Sequence, residues 1–108
     1  QIDPFIKSWE NIILVECKNW SKKVGTSEVE WFIYKLRRRG LMNGILIAAE
    51  GITGDAQHAA GALIMEALRE KIRVIVIDKS DLESITSIEN LRNMIKIKYC
   101  TIFIGKLI

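Results

Sequence analysis

The 108-residue chain has few residues of the kinds that interrupt or divide a fold. It contains one proline, Pro4, and it shows no repeat and no low-complexity tract that would mark a linker between domains. Its apolar runs are all shorter than the roughly 20 residues that a helix needs to cross a bilayer. We therefore expect one soluble domain with a single hydrophobic core.

Cysteine and histidine are also scarce, which argues against a cysteine metal site, a redox pair and a histidine-based catalytic site. Cys17 and Cys100 are far apart in the sequence and form neither a metal-binding pair nor a redox pair, so we expect two buried, reduced thiols. His58 is the only histidine, and no nucleophile and base can be combined around it. The low cysteine content and the lack of a secretion-type leader favour a cytoplasmic protein.

Short apolar runs alternate with amphipathic segments along the chain. Residues 12–18 (IILVECK), 44–50 (GILIAAE) and 72–78 (IRVIVID) are rich in β-branched residues, as expected of strands that are covered on both faces. Segments with helical periodicity separate these three runs. The order predicts an α/β fold in which parallel strands are joined by right-handed crossovers.

Three segments are predicted to be helical. In residues 25–40, Ser27 and Glu30 have the spacing of a capping box, and Gly40 suits the left-handed residue that ends a helix. Residues 55–71 open with Asp55 as a candidate cap. Residues 87–108 carry apolar side chains at helical spacing but also a β-rich end, and we favour a helix there.

The first predicted strand acquires charge where it ends. Glu16 and Lys18 are two positions apart, so their side chains lie on the same face of the strand, roughly 6.6 Å apart along it. In open α/β sheets, crevices form at the carboxyl ends of the strands, which is where this pair lies. The alternative interpretation is a strand that leaves the core and finishes with solvated charges.

Another acid precedes this strand. If residues 2–3 end a strand that turns back into residues 12–18, Asp3 would lie opposite Glu16, since neighbouring strands are about 4.8 Å apart. Two carboxylates would then face each other. The alternative for Asp3 is an ordinary polar residue before a proline.

The sequence ILVECKNW, followed downstream by GILIAAEGITG, resembles the PD-(D/E)XK nucleases, and within them the restriction-endonuclease-like domains of the Mrr type. The resemblance covers residues 3–78. It implies a three-layer α/β core with a mixed central sheet flanked by helices. It also implies that the chain is one nuclease domain of a longer protein, cut after an N-terminal helix, and the first residue, Gln1, agrees with this.

The resemblance implies a role for each matching residue. Asp3, Glu16 and Lys18 would be the catalytic residues, and Asp3, Glu16 and the main-chain carbonyl of Cys17 would bind Mg²⁺, for which Mn²⁺ can substitute. This assignment is chemically reasonable, because carboxylates suit Mg²⁺ and phosphodiester cleavage needs a cation to neutralise developing charge. Lys18 would orient the attacking water and stabilise the charged transition state.

Basic residues near this site suggest contact with DNA. Lys22 and Lys23 follow the site directly, and Ser27 opens a helix whose N-terminus could receive a phosphate, although a capping role explains Ser27 as well. The arginines at 37–39 are explained equally by the dipole of the helix they end. The net charge of +3 is compatible with a polyanionic partner but does not require one.

The sequence thus predicts a Mg²⁺-dependent DNA endonuclease, an effector in defence against foreign DNA that is joined to a sensor or recognition module and is a homodimer or a higher oligomer. Two alternatives stay open. One is a structure-selective nuclease of the Holliday-junction resolvase type. The other is a nuclease-like fold without catalysis that serves as a binding module, against which the intact Glu16 and Lys18 argue.

Overall fold

The computed structural model describes residues 13–18, 21–55 and 57–103. The strands are β1 (Leu14–Lys18), β2 (Asn43–Ala48) and β3 (Arg73–Ile77). The helices are α1 (Thr26–Arg38), α2 (Ala59–Arg69), α3 (Lys79–Ser84) and α4 (Ile88–Phe103). The predicted α/β class and the helix near the C-terminus are confirmed, and α3 is an element that the sequence pattern did not indicate. Within the described part of the chain, no helix is long and apolar enough to span a membrane.

The three strands form a parallel sheet in the order β1-β2-β3. Glu16 is in register with Leu46 of β2, and Lys18 with Ala48. The predicted mixed sheet is not found among the described residues, where every pairing between strands is parallel. The antiparallel hairpin expected between residues 2–3 and β1, and with it Asp3, lies outside the described residues.

One face of the sheet is covered by α1 and α2. Phe32 and Leu36 of α1 are fully buried, and they pack directly on Gly44 of β2. A Cβ atom at Gly44 would lie 2.8 Å from the Phe32 ring and 2.9 Å from Leu36 Cδ1. Glycine at this position therefore allows α1 to approach β2 closely and fixes the height of α1 above the sheet.

The other face of the sheet is covered by α4. Side chains alternate along β3, so Arg73 points away from the face that carries Val74, and its guanidinium lies 5.2 Å from the ring centroid of Tyr99 in α4. Ile102 of α4 is buried in the core. The domain therefore has the expected three layers, with helices on both sides of the sheet.

The predicted start of α1 was wrong. The N-cap is Gly25 with an extended backbone and no side-chain cap, and Ser27 lies within the first turn. The chain is fixed just before this point, because Val24 donates to the Gly51 carbonyl at 2.9 Å and accepts from the Thr53 N–H at 3.0 Å. This pairing holds the backbone extended as far as Gly25 and sets where the helix begins. Gly40, with φ +67°, ends the helix as predicted.

The predicted cap of α2 was also wrong. Asp55 accepts a hydrogen bond from the Gln57 N–H at 2.9 Å and lies 2.7 Å from the His58 ring nitrogen. These contacts close a turn, so the helix starts only at Ala59, with His58 as its N-cap. A reciprocal capping box does occur at α3, where the side chains and N–H groups of Asp78 and Asp81 bond to each other at 2.8 and 2.9 Å.

Both thiols differ from the expectation that they are buried. Cys17 and Cys100 are free, as expected, but both are exposed. Cys17 lies between Glu16 and Lys18 in β1, so its side chain points to the opposite face of the sheet, away from α1. This is the face on which α4 packs against β3. Cys100 lies on the solvent side of α4, between the inward-facing Lys98 and Ile102.

Candidate active site

The strand β1 places its two charged side chains together. Glu16 and Lys18 both point towards α1, and Glu16 Oε2 lies 3.3 Å from Lys18 Nζ. Their register partners in β2 are Leu46 and Ala48, which are fully buried. The pair therefore sits where the apolar layer under α1 gives way to polar groups, at the carboxyl end of the strand, as the alternation of side chains predicted.

A second lysine contacts the same carboxylate. Lys35, on α1, donates a hydrogen bond from its ammonium group to Glu16 Oε1. Lys35 was not among the residues predicted for the site from the sequence. Lys35 directly precedes the buried Leu36 and so lies at the border of the packed face of α1, but this position does not indicate Glu16 as its partner.

The environment of Glu16 keeps it ionised. Burial by itself raises the pKa of Glu16, but the hydrogen bond and charge of Lys35, together with the ammonium group of Lys18, lower the pKa below its ordinary value. Only 18% of the Glu16 side chain is exposed. Glu16 is therefore a carboxylate that keeps its negative charge at neutral pH inside a partly desolvated site.

One oxygen of Glu16 is left with unused hydrogen-bonding capacity. Oε2 is buried, and it accepts no hydrogen bond from any described residue, although it forms the ion pair with Lys18. A buried carboxylate oxygen with lone pairs to spare is suited to bind a hard cation. Glu16 thus fits the role of one metal ligand.

The described residues do not complete a metal site. Within residues 13–18, 21–55 and 57–103, no group of three or more His, Cys, Asp or Glu side chains is placed to hold a metal ion. Asp3, the predicted second carboxylate, lies outside these residues. Cys17, the predicted donor of a main-chain carbonyl, is in β1 between Glu16 and Lys18.

A groove at the strand ends borders Lys18, and among the described residues Glu16 is not part of its lining. Its lining includes Cys17 and Lys18 from β1, Glu50 after β2, and Lys79 from the first turn of α3. The carboxyl ends of parallel strands meet at one edge of the sheet, so this groove is where the fold favours ligand binding. Two lysines in its wall make it suitable for an anionic ligand.

The predicted DNA-contacting residues are on the surface near this edge. Lys22, Lys23 and Ser27 are all exposed, and Lys23 Nζ lies 3.5 Å from the main-chain carbonyl of Glu50, which belongs to the groove. Among the three consecutive arginines, Arg37 forms a bidentate ion pair with Glu70, in which its Nε and Nη2 donate to Oε1 and Oε2 at 3.0 and 2.8 Å. Arg37 is thus already paired with Glu70, the residue that follows α2.

Comparison with known proteins identifies a family that matches this chain. A family model described as a restriction endonuclease, Mrr_cat, matches residues 1–86, that is, 86 of the 108 residues. The matched range includes β1 with Glu16 and Lys18, and it ends just after α3, so α4 lies beyond it. No curated protein and no solved structure shows a significant match.

Proposed function

Because the chain belongs to the Mrr_cat family of restriction endonucleases, we propose that it is a Mg²⁺-dependent endonuclease that hydrolyses the phosphodiester bonds of DNA through Asp3, Glu16 and Lys18. The observation that carries the proposal is the pairing of Glu16 and Lys18 at the carboxyl end of β1, with Oε2 and Nζ 3.3 Å apart and Lys18 bordering the groove at the strand ends. An acid and an amine in this arrangement suit the hydrolysis of a negatively charged ester.

Glu16 supplies a fixed negative charge to the site. Its pKa is held below the ordinary value by Lys35 and Lys18 despite burial, so no proton competes with a cation for the carboxylate at neutral pH. Oε2 is the oxygen available for binding, since Oε1 is held by Lys35. The hydrogen bond from Lys35 thereby orients the carboxylate and leaves one oxygen directed to the ligand.

The proposed metal ligands are Glu16, Asp3 and the main-chain carbonyl of Cys17. Mg²⁺ typically takes one or two protein carboxylates and keeps several waters, so this small donor set is adequate. When bound, the ion neutralises charge on the phosphate and lowers the pKa of a bound water.

Lys18 has two tasks in this mechanism. Its ammonium group attracts the phosphodiester to the groove, and it stabilises the extra negative charge that develops on the phosphate oxygens in the transition state. Together with the Glu16 carboxylate, 3.3 Å from its Nζ, it would also help to orient the attacking water. Lysine suits this position because its flexible stem lets the charge follow the reacting group.

The DNA strand would be held by residues around the groove. Lys22 and Lys23 offer cationic contacts to phosphates, and Ser27 lies in the first turn of α1, where unpaired N–H groups favour an anion. In the complete protein we propose a defence effector that forms a homodimer and depends on a separate sensor or recognition module to select its target.

Plasmid cleavage tests the proposal. We expect Glu16→Gln and Lys18→Ala to reduce Mg²⁺-dependent cleavage of supercoiled plasmid by at least about a hundredfold, because each removes a charged group from the reacting centre. Circular dichroism would verify that the variants are folded, and titration calorimetry with Mg²⁺ alone would show weakened binding for Glu16→Gln.

Glu70→Gln is the matched control, since it neutralises a carboxylate that is paired with Arg37 on the surface between α1 and α2. It should cleave at the parent rate. Site variants that cut plasmid as fast as the parent would refute the assignment of Glu16 and Lys18. A parent protein that binds Mg²⁺ but never cuts DNA would refute the enzymatic function.

A further inference from the structure

Four residues form one row along α1, three of them exposed and Lys35 partly buried. Trp31, Tyr34, Lys35 and Arg38 are spaced i, i+3, i+4 and i+7, so their side chains lie along a single stripe of the helix. The core-facing side of the same helix is formed by Val29, Phe32, Ile33 and Leu36, which are all buried. We call the row of four the aromatic–basic stripe.

The two aromatic rings of this stripe are stacked yet open to solvent. The ring centroids of Trp31 and Tyr34 are 5.2 Å apart, and their planes are inclined by 18°. Trp31 is 56% exposed and Tyr34 is 41% exposed. A solvent-facing stack of two large rings leaves much apolar surface uncovered, in contrast to Phe32, the other aromatic residue of α1, which is fully buried.

Cationic groups accompany both rings. Lys35 Nζ lies 5.9 Å from the centroid of a Trp31 ring, and Arg38 Nη1 donates to the Tyr34 hydroxyl at 3.2 Å. An alternation of aromatic rings and cations matches a nucleic acid strand, whose bases stack on rings and whose phosphates pair with cations. Two apolar residues of α4, Ile88 and Ile97, are also exposed, but they do not belong to this series of rings and cations. Nothing in the structure indicates what would cover them.

The stripe is continuous with the candidate active site. Lys35 contacts Glu16 with its ammonium group and stands next to Trp31, so one side chain joins the carboxylate to the aromatic stack. A strand with a phosphate at Glu16 and Lys18 would therefore bring its next nucleotides over α1. A base in that position reaches the rings only if it is unpaired, because paired bases are stacked inside the duplex.

We propose that the aromatic–basic stripe of α1 binds an unpaired segment of the nucleic acid substrate by stacking bases on Trp31 and Tyr34. This rests on the proposed function for the position of the phosphate at Glu16. It assigns a substrate class to the same site, namely DNA with a single-stranded stretch next to the bond that is cut. Arg38 contributes a phosphate contact, and Lys35 fixes the rings relative to Glu16.

Fluorescence and binding measurements in the presence of a metal chelator test the proposed stacking on Trp31 and Tyr34 under conditions in which no DNA is cut. A Trp9→Phe, Trp20→Phe background leaves Trp31 as the only tryptophan reporter. We expect an oligothymidylate of about 15 nucleotides to quench its emission. Removing one ring by Trp31→Ala or Tyr34→Ala in the parent chain should weaken binding of the same oligonucleotide roughly 5- to 150-fold, the cost of losing one stacked base. Trp31→Phe should show an intermediate affinity.

The salt dependence separates stacking from charge. Trp31→Ala should leave the slope of log affinity against log salt unchanged, whereas Arg38→Ala should reduce it. Ile88→Ala, which trims an exposed apolar side chain on α4, is the matched control and should bind like the parent.

Equal binding of the oligonucleotide by Trp31→Ala and the parent, or binding without quenching, would overturn the inference. So would a preference for a blunt duplex of the same length that does not depend on either ring. A parent protein that fails to cut plasmid would count against the nuclease proposal only, because the fluorescence readout needs no cleavage.

Discussion

At the scale of single residues, the site is defined by one carboxylate between two ammonium groups. Lys18 could be predicted as a partner of Glu16 from the sequence, because two positions along a strand always share a face. Lys35 could not, since it lies 19 residues further on and reaches Glu16 only through the way α1 packs on the sheet. Local spacing can be read from the sequence, whereas the contact between Lys35 and Glu16 depends on tertiary structure.

We expect Lys35→Met to raise the pKa of Glu16. Burial already favours the protonated form of this carboxyl, and the hydrogen bond from Lys35 is the largest of the influences that oppose it, with the charge of Lys35 adding to it. Carbon-detected NMR titration of the Glu16 side-chain carboxyl would measure the shift. Because the folded pKa is depressed, the stabilising effect of Glu16 is present at neutral pH and lost as the pH falls through that pKa, and the variant should lose it at a higher pH.

Two variants provide the controls for this measurement. Lys35→Arg keeps the positive charge and should keep the pKa of Glu16 low. Lys23→Met removes an ammonium group that faces the main-chain carbonyl of Glu50, and it should leave Glu16 unaffected. An unchanged Glu16 pKa in Lys35→Met would show that Lys35 does not control this carboxylate.

At the scale of elements, the strands were predicted well and the helix starts were not. The β-branched runs correctly predicted β1, β2 and β3, because strands that are buried on both faces are rich in apolar β-branched residues. Helix starts depend on contacts made elsewhere in the fold. The pairing of Val24 with Gly51 and Thr53 sets the start of α1, and the turn at Asp55 delays the start of α2.

Gly44 determines how closely α1 packs on the sheet, and we expect Gly44→Ala to destabilise the domain by about 1–3 kcal/mol, the usual cost of overpacking a core. The added methyl group would meet the Phe32 ring at 2.8 Å and Leu36 Cδ1 at 2.9 Å, and both side chains are fully buried. Denaturant unfolding of the variant and the parent would give the difference in free energy.

Gly25→Ala is the matched control, because the nearest side-chain atom to its new methyl group, Glu28 Oε1, would be 3.5 Å away, an ordinary contact. It should cost less than about 1 kcal/mol, the scale of an N-cap change. Adding Phe32→Leu to Gly44→Ala should recover part of the stability by making room. A Gly44→Ala variant as stable as the parent would mean that α1 can lift from the sheet freely.

At the scale of the whole molecule, the alternation of strands and helices was sufficient to predict three layers with the helices outside. The sequence could not reveal how α3 and α4 are joined, because that depends on a buried ion pair between distant residues. Lys98, 5% exposed, faces inwards from α4 like the buried Ile102, and its ammonium group is 2.9 Å from Asp81 Oδ2. This pair ties α4 to α3.

We expect Lys98→Met to lower the free energy of unfolding at neutral pH by about 2 kcal/mol, since it leaves Asp81 partly buried without its cation. Burial raises the pKa of Asp81, but the Asp78 N–H and Lys98 lower it below its ordinary value. The stabilisation is therefore complete above the ordinary pKa and lost as the pH falls through the folded value. The difference between parent and variant should shrink on acidification below about pH 4.

Denaturant unfolding across a pH series measures both effects. Arg37→Gln serves as the control, because the Arg37–Glu70 pair is about half exposed on each side and solvent screens it. This variant should follow the stability curve of the parent. A constant difference between Lys98→Met and the parent down to acidic pH would mean that the ion pair with Asp81 is not the source of the effect.

The packing of α1 on Gly44 has a consequence for any attempt to improve this protein. Phe32 and Leu36 pack α1 on the sheet, whereas Lys35 and Trp31 lie on other sides of the helix, so the residues that stabilise the domain and those proposed to bind the substrate occupy consecutive turns of one helix. Core substitutions that rotate α1 or move it away from the sheet should therefore also change the proposed substrate preference. Selection for either trait should therefore be screened for both.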